Sequence, residues 1–220
     1  LARFPRTRLP GEIVRDRALA AAGLLVPVIG GPSVRPWMPD GVWDDTSKYG
    51  NLRGYVPDTG PGRFRRSMYT IWKRTAGPPT MLLFDAPNRE TCTVRRSRTN
   101  TPLQALALLN EPTFLEAAAG LARRMLAEGA DDRARLARGF RAAIGRAPDD
   151  AELDTLVAGL AADRAAFAAD RDAAAKFVAA GSAALAGKPP AESSGEPGEF
   201  AAWCLAANVI LNLDEFVMRE

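Results

Sequence analysis

Apolar positions recur at helical spacing through most of the second half of the chain. Leu136, Phe140 and Ile144 fall four residues apart and predict a helix over 131–144. Leu153, Leu156, Val157, Leu160, Ala161 and Phe167 predict a longer one over 149–169. Phe114, Leu115, Ala118, Leu121, Ala122 and Met125 give the helix after Pro112 an apolar face, and a further helix is expected over 172–180. A Pro/Ser/Gly stretch over 188–197 reads as a loop. Residues 200–211 read as a final apolar helix, with Asn212 capping a last turn through Phe216. Alanine supplies 32 of residues 111–220, and its high helix propensity points the same way.

The first half is patterned differently. Residues 1–11 read as basic and extended, with Arg3, Arg6 and Arg8 set among Pro5 and Pro10. Pro10 sits where a helix can begin without losing a bond, and Ile13, Arg17, Ala20 and Leu24 form one stripe of a helix over 12–25. Glu12 and Asp16 favour its positive end. Residues 26–80 hold 8 Gly and 8 Pro, so regular structure is interrupted by turns. Trp37, Met38, Val42, Trp43, Tyr49, Leu52, Tyr55 and Val56 are interleaved, and such side chains seek burial. The stretch therefore reads as an ordered irregular segment wrapped over a helical core. Within it, Phe64, Met68, Ile71 and Trp72 predict a short amphipathic helix over 64–74, and Pro79 opens another turn through Phe84. Residues 85–90 read as a turn and 91–98 as a short extended piece. Thr99, Asn100 or Thr101 caps a helix through Leu103, Leu106 and Leu109, and Asn110 caps the next. The expected fold is all-α: a helical bundle wrapped by a long ordered Gly/Pro-rich irregular segment, in a single domain over 1–220. Residues 1–110 form its basic helix-loop part and 111–220 its acidic, Ala-rich helical part.

Charge and composition narrow the chemistry. Residues 1–110 carry 17 Lys and Arg against 8 Asp and Glu, net +9, and residues 111–220 carry 12 against 18, net −6. That asymmetry favours docking of the halves on one another, on copies, or on an acidic partner. The arginines are dispersed among Gly, Pro and aromatics rather than stacked on one helical face, so no nucleic-acid partner is expected. No apolar run is long enough to span a membrane. The chain has no histidine, which excludes a Ser-His-Asp or Cys-His engine, a His-ligated zinc and a CxxCH haem attachment within it. Cys92 and Cys204 are too few for a disulfide framework. They read as small buried apolar residues, with pairing as the alternative. The chain begins at Leu1, without initiator Met or signal peptide, and reads as a piece of a longer protein.

The densest polar stretch runs from Asp85 to Asn110 and offers Asp85, Arg89, Glu90, Arg95, Arg96, Arg98 and Asn100. As a ligand or partner surface, its arginines would hold a carboxylate, sulfate or phosphate by paired hydrogen bonds. As an internal device, Asp85 and Glu90 would pair with those arginines and pin the loop to the helices, and this structural role is the default expectation. Trp72 and Lys73, beside Tyr69 and Arg74, form a second candidate patch for a ring-shaped ligand, against the plainer role of Trp72 as a core residue. Asp40, Asp44, Asp45 and Asp58 match no EF-hand spacing, so a calcium-stabilised loop ranks low. No carboxylate pair stands out for glycoside hydrolysis, and no catalytic or metal-ligating residue is nominated.

The segments RLPGEIVRDRALAAAGLL (8–25), IGGPSVRPWMPDGVW (29–43), 65–118 with its CTVRR stretch, and NLDEFVMRE (212–220) resemble the planctomycete-type domain of unknown function fifteen-fifty-three. The resemblance implies the carboxyl-terminal domain of a large exported bacterial protein, ending at Glu220, with a preceding uncharacterised domain. It also implies haem c in a neighbouring domain, with no cofactor in this chain, and an extracytoplasmic location. The family lends no activity. The expected role is therefore an interaction or scaffolding module of a cytochrome c-associated protein. Its partners would be the preceding domain, an anionic glycan or another exported protein. The alternative is a polysaccharide-processing or redox site shared with the preceding domain. Cys204 lies outside the family-like stretches, which weakens a disulfide to Cys92.

Overall fold

The structure, a computed structural model, describes residues 6–44, 46, 54–182 and 197–219. Arg3, Pro5, Asp45, Tyr49, Leu52, Glu220 and residues 188–196 of the loop expected over 188–197 lie outside the described residues, while Pro197 begins the last long helix. The fold is all-α. Helices α1 (Gly11–Ala21), α2 (Pro79–Leu83), α3 (Pro102–Asn110), α4 (Pro112–Ala127), α5 (Asp132–Ile144), α6 (Asp150–Ala169), α7 (Arg171–Ser182), α8 (Pro197–Leu211) and α9 (Asp214–Val217) account for most of it. Strands β1 (Thr7–Arg8) and β2 (Met218–Arg219) form a two-stranded antiparallel pair.

Helices α4 and α8 are the axis of the bundle, with α5, α6 and α7 packed around them. Their apolar faces supply Phe114, Leu121, Met125, Leu136, Leu160, Trp203 and Ile210, all essentially solvent-free. Starts and stops follow capping chemistry. The Asp131 carboxylate accepts from Ala134 N, and Gly145 ends α5 in the left-handed conformation. Asp149 and Glu152 form a reciprocal capping box at the start of α6. Arginine ties join the helices at their ends. Arg164 engages Asp132 and Glu199, while Arg146 engages Glu152 and Glu215.

Close helix approach depends on small residues. A Cβ built on Gly120 of α4 would stand 3.0 Å from both Cβ and the carbonyl oxygen of Ala22. Backbone cannot swing aside as a long side chain can. Gly120→Ala is therefore expected to destabilise the chain by about 1–3 kcal/mol, read as a lowered urea midpoint with an unchanged m-value.

Several sequence expectations need correction. Helix α1 buries Val14, Arg15, Ala18 and Leu19, whereas Ile13 and Ala20 are exposed. The apolar stripe expected through Ile13 and Leu24 is thus rotated by about one residue. Residues 64–74 form no helix. Two 3-10 turns, Pro61–Phe64 and Ser67–Tyr69, are followed by extended backbone. Glu111, not Asn110, caps α4, and Leu213, not Asn212, precedes α9. Residues 91–98 are irregular rather than extended in a strand, and Cys92 is exposed, so the two cysteines are not both buried.

The wrapped segment is held by hydrogen bonds more than by apolar area. Met38 and Trp43 are buried, but Val56 is exposed. Isolated parallel bridges join Val26 to Arg65 and Val34 to Thr70. The Arg65 guanidinium donates to the carbonyls of Val28, Gly30 and Pro32, while standing 3.8 Å from the centre of the Tyr69 ring. The Asp58 carboxylate accepts from Arg35 N at 2.7 Å, and Trp43 Nε1 donates to Ala76 O at 3.1 Å. Fully buried Arg15 of α1 donates to Arg63 O (2.7 Å), Arg65 O (3.0 Å) and Ser67 Oγ (3.1 Å). A chain without a ladder must satisfy its carbonyls some other way, and planar forks with several donors do it here.

Candidate functional site

Asp85 anchors the polar block. It follows α2 with a positive φ of 61°, a left-handed conformation that Asp adopts more readily than most side chains. Its carboxylate accepts from Thr99 N at 2.7 Å and Thr99 Oγ1 at 2.8 Å. Buried Gln104 of α3 donates to Thr99 Oγ1 and Leu83 O, and Thr101 caps α3 through its own hydroxyl. Residues 86–98 thus form an arch whose two feet are tied together, and every residue from Asn88 to Asn100 is exposed. Asp85→Ala should untie the feet while leaving the bundle intact. The expected result is faster hydrogen exchange at Thr99 N and a loss of about 1 kcal/mol in urea unfolding, with Asp85→Asn much closer to the parent.

The arch leans toward β1. Between residues 8–10, 84–85 and 94–98 lies an open cleft of 330 Å³. Arg8, Arg95, Arg96 and Arg98 line it, against the single carboxylate of Asp85, which Thr99 already engages. Arg96 reaches Glu12 with bonds of 2.9 and 3.1 Å. Arg95 and Arg98 make no hydrogen bond or ion pair among the described residues. Arg8 Nε is buried and has no hydrogen-bond partner, and burial lowers the Arg8 pKa against the pull of Asp214 and Asp85. A cluster of planar donors with one carboxylate among them attracts an oxyanion.

The internal pairing expected for this block does not form. Asp85 binds Thr99 rather than an arginine, and exposed Glu90 is tied locally, its N–H donating to Asn88 Oδ1 at 3.1 Å. Arg89 stands outside the cleft with its guanidinium 4.4 Å from the centre of the Trp72 ring. Asn100 is exposed at the foot of the arch. Trp72 is not a core residue: it is half-buried in irregular chain and donates from Nε1 to Asn88 O at 3.2 Å. Lys73 serves the wrapped segment, donating to Thr46 Oγ1 at 3.0 Å and lying 4.9 Å from the Trp43 ring centre. Of the residues singled out from sequence, Asp85, Arg95, Arg96 and Arg98 meet in one cleft, while Arg89, Glu90, Asn100, Trp72 and Lys73 lie elsewhere. Sequence reasoning did not nominate Arg8, which β1 brings in from the far end of the chain.

A second polar cluster is buried beneath the wrapped segment. Glu111 caps α4, its carboxylate accepting from Phe114 N (3.3 Å) and Thr113 Oγ1 (3.1 Å). Burial pushes its pKa up to about 7, against the hydrogen bond from Thr113 and the charge of Arg15. Burial likewise raises Glu116 to about 7, although Arg63 binds it directly. Glu116 links α4 to the wrapped segment through Arg63, whereas the Glu111 carboxylate bonds within α4, and neither lines the cleft. Buried Cys204 has its thiol pushed up to about 12, which removes it as a nucleophile. Among the described residues no three His, Cys, Asp or Glu side chains are grouped to hold a metal, and no helix is long and apolar enough to cross a membrane.

A family model described as PSD1, protein of unknown function (DUF1553), matches residues 1–160. No curated protein and no solved structure matches the chain.

Proposed function

The chain belongs to the DUF1553 family of proteins of unknown function, and on that premise we propose that it is a non-catalytic interaction or scaffolding module of a larger exported, cytochrome c-associated protein. The observation that carries the reading is the cleft of Arg8, Arg95, Arg96 and Arg98, open to solvent and short of internal counter-charge. On this reading the arch receives an acidic group of the partner, which is the preceding domain or another exported, extracytoplasmic molecule. Haem c belongs to a neighbouring domain. Calorimetric titration of the chain with polyanions at low and high salt tests it. Expected is binding that weakens as salt screens the cleft and that is lost in Arg95→Glu/Arg98→Glu. Turnover of a substrate by this chain alone would overturn the reading.

The openness of the cleft also favours a second reading, in which a neighbouring domain closes over it to complete a polysaccharide-processing or redox site. The arginines would then hold a negatively charged substrate while the neighbour supplies the reacting groups. That reading requires activity that needs both domains and falls in the same double variant.

A further inference from the structure

Resting on the interaction role just proposed, we infer that the surface beside the arginine cleft binds an acidic peptide segment carrying aliphatic side chains, rather than a polysaccharide. One exposed aliphatic residue lines the cleft itself, and others follow closely along the chain. Val94, at the cleft, is fully exposed, Leu103 and Leu106 of α3 are 63% and 56% exposed, and Leu82 of α2 is 39% exposed. Leu103 and Leu106 lie three residues apart on α3 and so share its outer face. Gln104 and Leu108 face inward and are buried. Helix α2 packs on α3 through inward-facing Gln104, which donates to Leu83 O at 2.8 Å, and Leu82 stands just ahead of the cleft residues Phe84 and Asp85 in the chain. Arg98 precedes Leu103 by five residues, so the basic lining and the aliphatic face adjoin along the chain.

A sugar-binding surface looks different, because sugar rings stack on open aromatic faces. Here the Trp72 ring is covered by Arg89 and the Tyr69 ring by Arg65, while Trp43 and Phe84 are buried. Guanidiniums beside leucines instead complement a chain that alternates carboxylates with aliphatic groups. The carboxylates pair with the forks of Arg95 and Arg98, and the aliphatic side chains cover Leu103 and Leu106.

Three probes separate the possibilities when titrated into the whole chain: a synthetic peptide of repeating Leu-Asp-Asp, its Ser-Asp-Asp counterpart, and an oligogalacturonate of equal charge. The leucine peptide is expected to bind about tenfold more tightly than the serine one. Leu103→Ser/Leu106→Ser should abolish that difference without altering the melting profile, since both side chains already face solvent. Arg95→Glu/Arg98→Glu should remove binding of both peptides. Equal affinity for the two peptides, or tighter binding of the oligogalacturonate, would overturn the peptide inference while leaving the interaction role standing. Binding of none of the three would remove both. Self-association of the chain in sedimentation, abolished by the leucine variant, would hand the surface to a second copy and overturn the inference too.

Discussion

Arg15→Met is expected to cost the protein about 3–5 kcal/mol of stability, the largest effect of any single substitution considered. The side chain is fully buried, and it grips three acceptors of the wrapped segment from one position on α1. Methionine fills similar volume, so the loss is not a cavity effect. It comes from stranding the Arg63 and Arg65 carbonyls away from water and from releasing the turn between them. Arg15→Lys should rescue little, because one ammonium on a single stem cannot reproduce a fork that spans three acceptors. Chemical denaturation gives the size of the loss. Hydrogen exchange gives its place: protection at Val26 N and Val34 N, which donate to Phe64 O and Tyr69 O, should fall before that of α4 and α8.

Raising the pH from about 5 to about 8 should destabilise the fold, the reverse of what surface carboxylates produce. Glu111 and Glu116 titrate near 7 in the folded chain and near the ordinary carboxyl value of 4.5 when unfolded. Between those values the folded state binds more protons than the unfolded state, so stability falls as pH rises. For Glu111 the loss is on the order of 3 kcal/mol once pH exceeds the folded pKa. Glu111→Gln should flatten much of that slope, because an amide can still accept from Phe114 N and carries no charge to desolvate. Glu116→Gln is a poorer test, since it also removes the opposite charge that faces Arg63. An opposite slope operates at lower pH. Arg146 holds Glu152 down to about 2, and Arg164 lowers both Asp132 and Glu199. Those groups contribute stability above their unfolded pKa values that is lost as pH falls through their folded ones. Denaturation midpoints measured across the range should therefore peak on the acid side of neutrality. A monotonic rise up to pH 8 would contradict the buried state of Glu111.

The bundle was readable because its signals are local. Leu136 and Phe140 mark the inner face of α5 four residues apart, whereas the caps at Asp131 and Asp149 emerge only in the structure, one residue outside the helices they open. What sequence hid is held by contacts between distant segments. The apolar pattern over 64–74 resembles a short helix, but Arg15 and the strand-like pairing of Val26 and Val34 draw that backbone into turns and extension. Arg15 itself reads as a surface residue until the carbonyls it serves are known. The sequence pattern puts the cap before α4 on Asn110, one residue early. Pro112 takes the first helical position, so the cap falls on Glu111, whose carboxylate accepts from Phe114 N although Glu is not among the favoured capping residues. The polar block revealed three of the cleft arginines. The fourth, Arg8, reaches them because β1 pairs with β2, more than 200 residues away, and no local pattern announces such a pairing.

That clip between Thr7–Arg8 and Met218–Arg219, extended by Leu9 N donating to Val217 O at 2.9 Å, makes the polypeptide nearly a ring. Bringing such remote edges together costs entropy that grows with the length enclosed. Arg17 of α1, which donates to Phe216 O at 3.0 Å, already holds the two edges near one another, and the clip then fixes the Arg8 wall of the cleft. A short peptide bridge between the two edges, with new termini cut between α5 and α6, would give a circular permutant in which this wall is set by covalent connectivity rather than by a four-residue sheet.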